Sequence, residues 1–335
     1  MKKTYIIAEI GNSHEGSLGL AKEIAKAASL VGVDCVKFQT HIFEEESIIN
    51  APNPPYFKGE SRKDYFERTA FSKTQWLELK KYIEKELKIN FLSSPFSLKA
   101  INLLKDVKLN KIKIPSGELT NVPYLEKISK FAKVVFLSTG MSNFEEIDQA
   151  IRILKKNIPK KIVLMQCTSQ YPCPPEKSGL NIMQIFQKKY PKLELGFSDH
   201  TNGISIPLAA VVLGAKVIEK HFTLSRKMYG SDAKNSTEPE EFKQLVDEIR
   251  NLDRALKSKL NKNIFDKNLK NMRKVFQKSI VAKKQLNKSH IINYDDIEFK
   301  KPGVGIESKY YKKLINKKLK KVVRKDHLFN WNDFF

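Results

Sequence analysis

Eight short apolar runs punctuate the chain from its start to His221, and most of them end in a polar residue. They are Tyr5–Ile10, Asp34–Gln39, Asn90–Ser94, Lys111–Ser116, Val134–Ser138, Ile162–Thr168, Leu193–His200 and Ala215–His221. Each is strand-length and rich in β-branched or aromatic residues, and most are separated by stretches with a helical apolar period. Eight successive β-then-α units predict a (β/α)8 TIM barrel, a fold whose active site gathers at the C-terminal ends of the strands. The polar residues that end these runs would then face one mouth: carboxylates, ammonium groups, hydroxyls and two imidazoles.

The 335 residues leave room for a barrel of about 250 residues plus a small second domain. The expected layout is a barrel over 1–260, a lysine- and asparagine-rich linker over 261–275, and a compact β-rich module over 276–335. Ser17 precedes the Leu18–Leu30 helical period and Ser72 precedes Lys73–Leu87, each placed as an N-cap. A further helix is expected over Glu240–Leu256. The Pro- and aromatic-rich insert from Asn50 to Arg68 is long for a βα loop and reads as a lid or a dimer contact. In the tail, Ser279–Ala282 and Ile297–Lys300 read as strands, Pro302–Gly303 as a turn, and Ser308–Ile315 as a helix. His290 and His327 read as ordinary surface or packing residues.

The net charge of +24 raises a nucleic-acid partner as a question. The excess is mostly lysine spread over many helices, with no RNA-binding or finger motif, so no nucleic-acid partner is expected; the positive field would instead draw in an anionic substrate. No apolar run is long enough to span a bilayer, and the basic-then-apolar start MKKTYIIAEI is too short for a signal segment, so a cytoplasmic protein without a membrane partner is expected. The odd count of three cysteines fits a reducing compartment. Cys35 reads as core, and Cys167 as a strand-end residue able to line the site.

His200 and His221 end neighbouring strands, within reach of one ion, which suits a divalent metal with open positions. His14 and His41 lie in loops that could face the same mouth. Lys37 and Lys113 sit inside apolar strands, where an unpaired ammonium is costly, so each needs an anionic partner. A phosphate or carboxylate substrate is the expected partner, and a salt bridge to Glu9 the alternative. Ser94, Ser116, Ser138 and Ser198 add hydroxyls around the opening, as a cradle for a small charged phosphate would. Glu9, Glu118 and Asp232 are placed to hold a polyhydroxylated substrate or to move protons. Gly117 suggests a tight turn or close backbone approach. A rival chemistry on the same barrel is a Schiff-base aldolase with Lys113 or Lys37 as nucleophile.

The runs AEIGNSHEGSLGLAKE (from Ala8), VKFQTHI (from Val36), FLSSPFS (from Phe91), KIPSGELTNVP (from Lys113), LSTGM (from Leu137), GFSDHT (from Gly196) and EKHFTL (from Glu219) resemble the sialic acid synthase family. That family comprises N-acetylneuraminate synthases and their legionaminic and pseudaminic acid relatives. The tail, with FKKPGVGI from Phe299, resembles the family's antifreeze-like SAF domain. The resemblance implies condensation of phosphoenolpyruvate with an N-acylated amino sugar to a nine-carbon 2-keto acid and phosphate. It implies a divalent metal, Mn²⁺ or Mg²⁺, held by His200 and His221. The phosphoenolpyruvate site maps onto Lys37, Ser94, Lys113, Ser116, Ser138 and Ser198, and the sugar site onto Glu9, Gln39, Glu118, Tyr171 and Asp232. It implies a domain-swapped homodimer in which the SAF domain supplies a basic residue to the partner's mouth. That residue, an arginine before Pro-Gly in sialic-acid-forming members, stands here as Lys301, a point charge in place of a fork. Ser169 and the rim MYGSD (Met228–Asp232) also depart from the pattern on the sugar side.

Overall fold

The computed structural model describes residues 3–53, 59–157 and 161–335. Strands β1 (Tyr5–Gly11), β2 (Cys35–Thr40), β3 (Asn90–Pro95), β4 (Lys111–Ile114), β5 (Val134–Ser138), β6 (Lys161–Cys167), β7 (Glu194–Asp199) and β8 (Val217–His221) form one closed barrel in sequence order. Every neighbouring pair is parallel, including β8 with β1, so all eight C-terminal ends share one rim. The expected TIM barrel is present.

Helix starts follow local chemistry. Ser17 accepts the Leu20 N–H at the head of Leu18–Leu30. Ser72 and Gln75 form a reciprocal capping box at the head of Lys73–Lys81. The expected continuation to Leu87 changes character: Tyr82–Glu86 is a π-helical turn. The closing helix runs Pro239–Lys257, with Pro at its first turn. Of the insert expected to act as a lid or dimer contact, residues 54–58 lie outside the described residues, and its end forms the helix Arg62–Thr69.

Strand alternation divides the barrel residues into two sets. Outward residues such as Ile6, Ala8, Ile10, Val36 and Phe38 are fully buried against the helices. Inward residues are layered. Ile7, Cys35, Leu92, Phe136, Val163, Met165 and Val217 fill an apolar plug. Cys35 is therefore core, as expected. Two residues further along their strands, Glu9, Lys37 and Glu219 lie directly above Ile7, Cys35 and Val217.

The chain divides into two compact units, Met1–Ser258 and Lys259–Phe335. The stretch read as a linker contains the helix Lys267–Phe276, capped by the Asp266 carboxylate. In the second unit β9 (Ser279–Ala282) pairs antiparallel with β10 (Ile297–Lys300), the two strands expected from the sequence. The expected helix appears as a 3-10 turn, Ser308–Tyr310, running into Tyr311–Leu314.

This unit also carries an internal repeat that sequence analysis overlooked. Lys284, His290, Asn293 and Asp296 recur at one fixed offset as Lys321, His327, Asn330 and Asp333. Both copies fold alike. Asp296 takes His290 at 2.7 Å and Lys284 at 3.0 Å; Asp333 takes His327 at 2.9 Å and Lys321 at 2.8 Å. Asn293 with Asp296, and Asn330 with Asp333, close matching capping boxes. Leu286 and Val323, at equivalent positions, exchange both backbone hydrogen bonds at 2.9 Å, so the local two-fold axis passes between them. His290 and His327, read as surface or packing residues, are half-buried and each pairs with a buried carboxylate.

Burial pushes the Asp296 and Asp333 carboxyls up, but the histidine, lysine and backbone donors outweigh it and hold both below the usual carboxylate range. That stabilisation is fully present above the unfolded carboxylate range and is lost as pH falls through the lower folded values. Asp296→Asn and Asp333→Asn should each cost about 2 kcal/mol in this unit at neutral pH, and much less in acid. Hydrogen exchange over residues 279–335 would read both effects. Equal protection of wild type and variants at neutral pH would show that these carboxylates do not hold the unit together.

Candidate active site

At the C-terminal rim the barrel opens into a cavity of about 610 Å³. Thirteen candidates from the first unit line it: Glu9, Lys37, Gln39, Ser94, Lys113, Ser116, Glu118, Ser138, Tyr171, Ser198, His200, His221 and Asp232. The thirteen come from loops and strands far apart in sequence, and the closed barrel is what gathers them. Cys167 lines it too, as expected. His41 also faces the cavity, whereas His14 does not. The His14 ring stacks on Phe71 at 4.3 Å, and burial pushes its basicity down to about 3. His14 is therefore a packing residue. Lys301 belongs to the second unit, where its ammonium sits 5.0 Å over the Phe276 ring.

The cavity floor is a chain of four alternating charges. Lys37 Nζ lies 3.0 Å from Glu9 and 3.4 Å from Glu219; Lys113 Nζ lies 2.6 Å from the same Glu219 oxygen. Both lysines therefore find anions within the protein: for Lys37 the alternative, a salt bridge to Glu9, is present, and Glu219 serves both in place of the expected substrate anion. Glu219 was visible as a strand end but was not singled out. The missed signal is its spacing: it stands two residues before His221 and so shares that strand's inward face.

Burial opposes every charge in this chain, and geometry decides the winners. Burial pushes Glu219 up, but two ammonium neighbours outweigh it, and its carboxyl lies at about 2. Burial also pushes Glu9 up; Lys37 and the Gln39 amide pull it back only in part, and it stays raised. Burial lowers Lys113, with Lys37 adding to the effect, whereas for Lys37 the two carboxylates prevail and its basicity is raised.

The remaining residues are built around this floor. Lys37 donates to Ser94 Oγ at 3.1 Å, and Ser198 Oγ donates to Glu219 at 3.1 Å. Ser116 Oγ accepts the Gly140 N–H at 3.1 Å. Asn121 holds one Glu118 oxygen at 2.8 Å, and burial raises the Glu118 carboxyl. Asp232 accepts the Asn12 N–H at 3.1 Å, and burial raises it as well. The glycine that closeness requires is not Gly117, where an added Cβ meets only Met141 at 3.6 Å, but Gly11. There the backbone is left-handed and a Cβ would stand 2.3 Å from the Asp232 carboxylate.

His200 and His221 face each other with ring centroids 5.5 Å apart, and Tyr171 packs against both. His200 Nδ1 lies 2.8 Å from the Thr168 carbonyl, an acceptor only, so it carries the proton and Nε2 is left as the lone-pair nitrogen. Among the described residues no hydrogen bond engages the His221 ring, and no group of three or more His, Cys, Asp or Glu is close enough to hold an ion. The donor set is therefore two imidazoles. It fits a borderline divalent ion whose other positions go to water or substrate oxygens. Behind the rings, the outward-facing Asp199 and Lys220 pair across β7 and β8 at 2.5 Å, which ties together the two strand ends that carry the histidines.

Residues 24–261 match the NeuB family and residues 277–334 match the SAF domain. The chain is 41% identical to the N,N'-diacetyllegionaminic acid synthase of Campylobacter jejuni, over 98% of this chain and 99% of that protein. This protein belongs to the NeuB family. It is 36% identical to the human N-acetylneuraminate-9-phosphate synthase over 88% of this chain and 82% of that one. A crystal structure of the sialic acid synthetase of Leptospira borgpetersenii with citrate superposes with a TM-score of 0.69 at 30% identity, covering 81% of this chain and 90% of that one. The chain is accordingly an enzyme of the synthase type.

Removing one member of the floor should expose how tightly it is coupled. Glu219→Gln leaves two buried ammonium groups short of an anion and should cost about 3–5 kcal/mol in denaturant unfolding of the barrel. Adding Lys113→Met should return a large part of that loss. Strict additivity of the two substitutions would argue that the 2.6 Å contact carries no energetic coupling.

Proposed function

We propose that this enzyme condenses phosphoenolpyruvate with an N-acylated amino sugar, giving a nine-carbon 2-keto sugar acid and phosphate. The observation that supports it best is the juxtaposition in one cavity of two buried lysines, four serines and a facing histidine pair. The higher identity to the legionaminic acid synthase than to the human enzyme favours a diacetamido-trideoxy hexose over N-acetylmannosamine. The pseudaminic acid precursor, a sugar of the same class, is the second candidate.

In this reading the empty floor is near neutral, and the anionic substrate adds its charge beside Lys37 and Lys113. Ser94, Ser116, Ser138 and Ser198 orient its oxygens, and the surplus positive charge of the chain speeds its arrival. His200 and His221 would hold a divalent ion, Mn²⁺ or Mg²⁺, which would supply Lewis acidity for the sugar's aldehyde. The enol carbon of phosphoenolpyruvate bonds to the aldehyde carbon, which leaves a cationic centre at C2. Water adds there and phosphate departs by cleavage of the C–O bond. Glu118 is the better-placed acceptor for the water's proton. Among the described residues only one of its oxygens is engaged, by Asn121, whereas Gln39 and Lys37 occupy both oxygens of Glu9, and burial raises the Glu118 carboxyl. Glu9, Gln39, Tyr171 and Asp232 hold the sugar. The proposal also includes a cytoplasmic, domain-swapped homodimer in which Lys301 reaches the partner's sugar site, as the family resemblance implies.

The test is phosphate release from phosphoenolpyruvate with Mn²⁺, offering N-acetylmannosamine and the two diacetamido sugars in parallel. Release with a diacetamido sugar, abolished by chelator and restored by metal, is expected. His221→Ala should lower that rate by a factor on the order of a thousand or more. Trapping of a substrate adduct by borohydride would favour the Schiff-base reading instead.

A further inference from the structure

His41 sits at the end of a buried hydrogen-bond chain that no step above uses. Its ring is clamped between Phe66 at 3.8 Å and Phe96 at 4.1 Å, nearly parallel to both. Its side chain is 6% exposed, and that of its neighbour Glu46 is 7% exposed. Nδ1 lies 2.8 and 3.1 Å from the two Glu46 oxygens, and Nε2 lies 2.9 Å from Gln39 Oε1. The Gln39 amide nitrogen in turn lies 2.8 Å from Glu9 Oε1.

The donors and acceptors of this chain are not independent. An ionised Glu9 can only accept, so the Gln39 amide must present its NH2 there. Its carbonyl is then left facing His41, and Nε2 must donate. On its other side the ring is held by Glu46 through Nδ1 and sandwiched by two aromatic faces. Were the amide turned over, its NH2 would face Nε2, which would then have to accept, and Glu9 would have to carry a proton to donate to the Gln39 carbonyl.

We propose that His41 is a positioning residue: braced by Glu46, it donates from Nε2 to the Gln39 carbonyl and so locks the Gln39 amide with its NH2 toward Glu9 on the sugar side of the cavity. The catalytic part of this inference rests on the proposed condensation; the hydrogen-bond lock does not.

The first measurement uses the full-length enzyme labelled with ¹⁵N-histidine. Its six histidines give few enough ring signals for His41 to be assigned by its loss in His41→Phe. At neutral pH, Nε2 of His41 should carry a proton in wild type. An unprotonated Nε2 would overturn the proposal and indicate the flipped amide. The second measurement is steady-state kinetics of His41→Phe, which keeps the aromatic stack but cannot donate. Its kcat/KM for the sugar should fall roughly ten- to a hundredfold, with KM for phosphoenolpyruvate little changed. Unchanged sugar kinetics would also overturn it. Wild-type enzyme inactive with every sugar but showing a protonated Nε2 on His41 would refute the condensation and leave the lock standing.

Discussion

Everything at the mouth of this barrel depends on how four buried charges are reconciled. Glu9, Lys37, Glu219 and Lys113 lie where four strands rise from an apolar plug, and all four are buried. Alternation of sign along the chain makes the arrangement tolerable: each ammonium meets a carboxylate within 3.0 Å. Such a cluster is a poor source of net stability, because desolvation consumes most of the Coulombic gain. What it supplies is fixed geometry. The lysines are held with little freedom in the place where an anion would dock.

The neighbouring networks extend the same principle outward. Ser94 and Ser198 are bonded into the floor, and Gln39 and His41 continue it toward the rim. The histidine pair is braced by the Thr168 carbonyl on one side and by the Asp199–Lys220 pair behind it. Pre-set donors and acceptors of this kind need little reorganisation when charge develops in a reaction. The mouth is therefore rigid where polar groups converge.

The second unit solves a different problem. It is too small to rely on its core alone, and it adds two equivalent carboxylate hubs related by a local two-fold axis. Each hub combines a capping box with a histidine and a lysine, so loop-rich backbone is pinned by a few charge-assisted bonds.

Much of this was legible in the sequence. The eight apolar runs and their helical spacers dictate the barrel, because strand and helix periods follow from local geometry. The barrel then dictates that strand-end polar residues share one mouth, and thirteen candidates in the first unit do. Family motifs reached the same residues independently. What the sequence could not show is which groups satisfy one another. Lys37 and Lys113 needed anions on physical grounds, and Glu9 was visible as one of them beside Lys37, but only closure of β8 against β1 brings Glu219 within reach. His14 and His41 looked alike as loop histidines. Tertiary packing buried one against Phe71 and set the other between two aromatic rings and two polar chains. Local patterns determine elements and the faces they present; pairing between distant residues, and with it the protonation of the site, is decided only when the chain closes on itself.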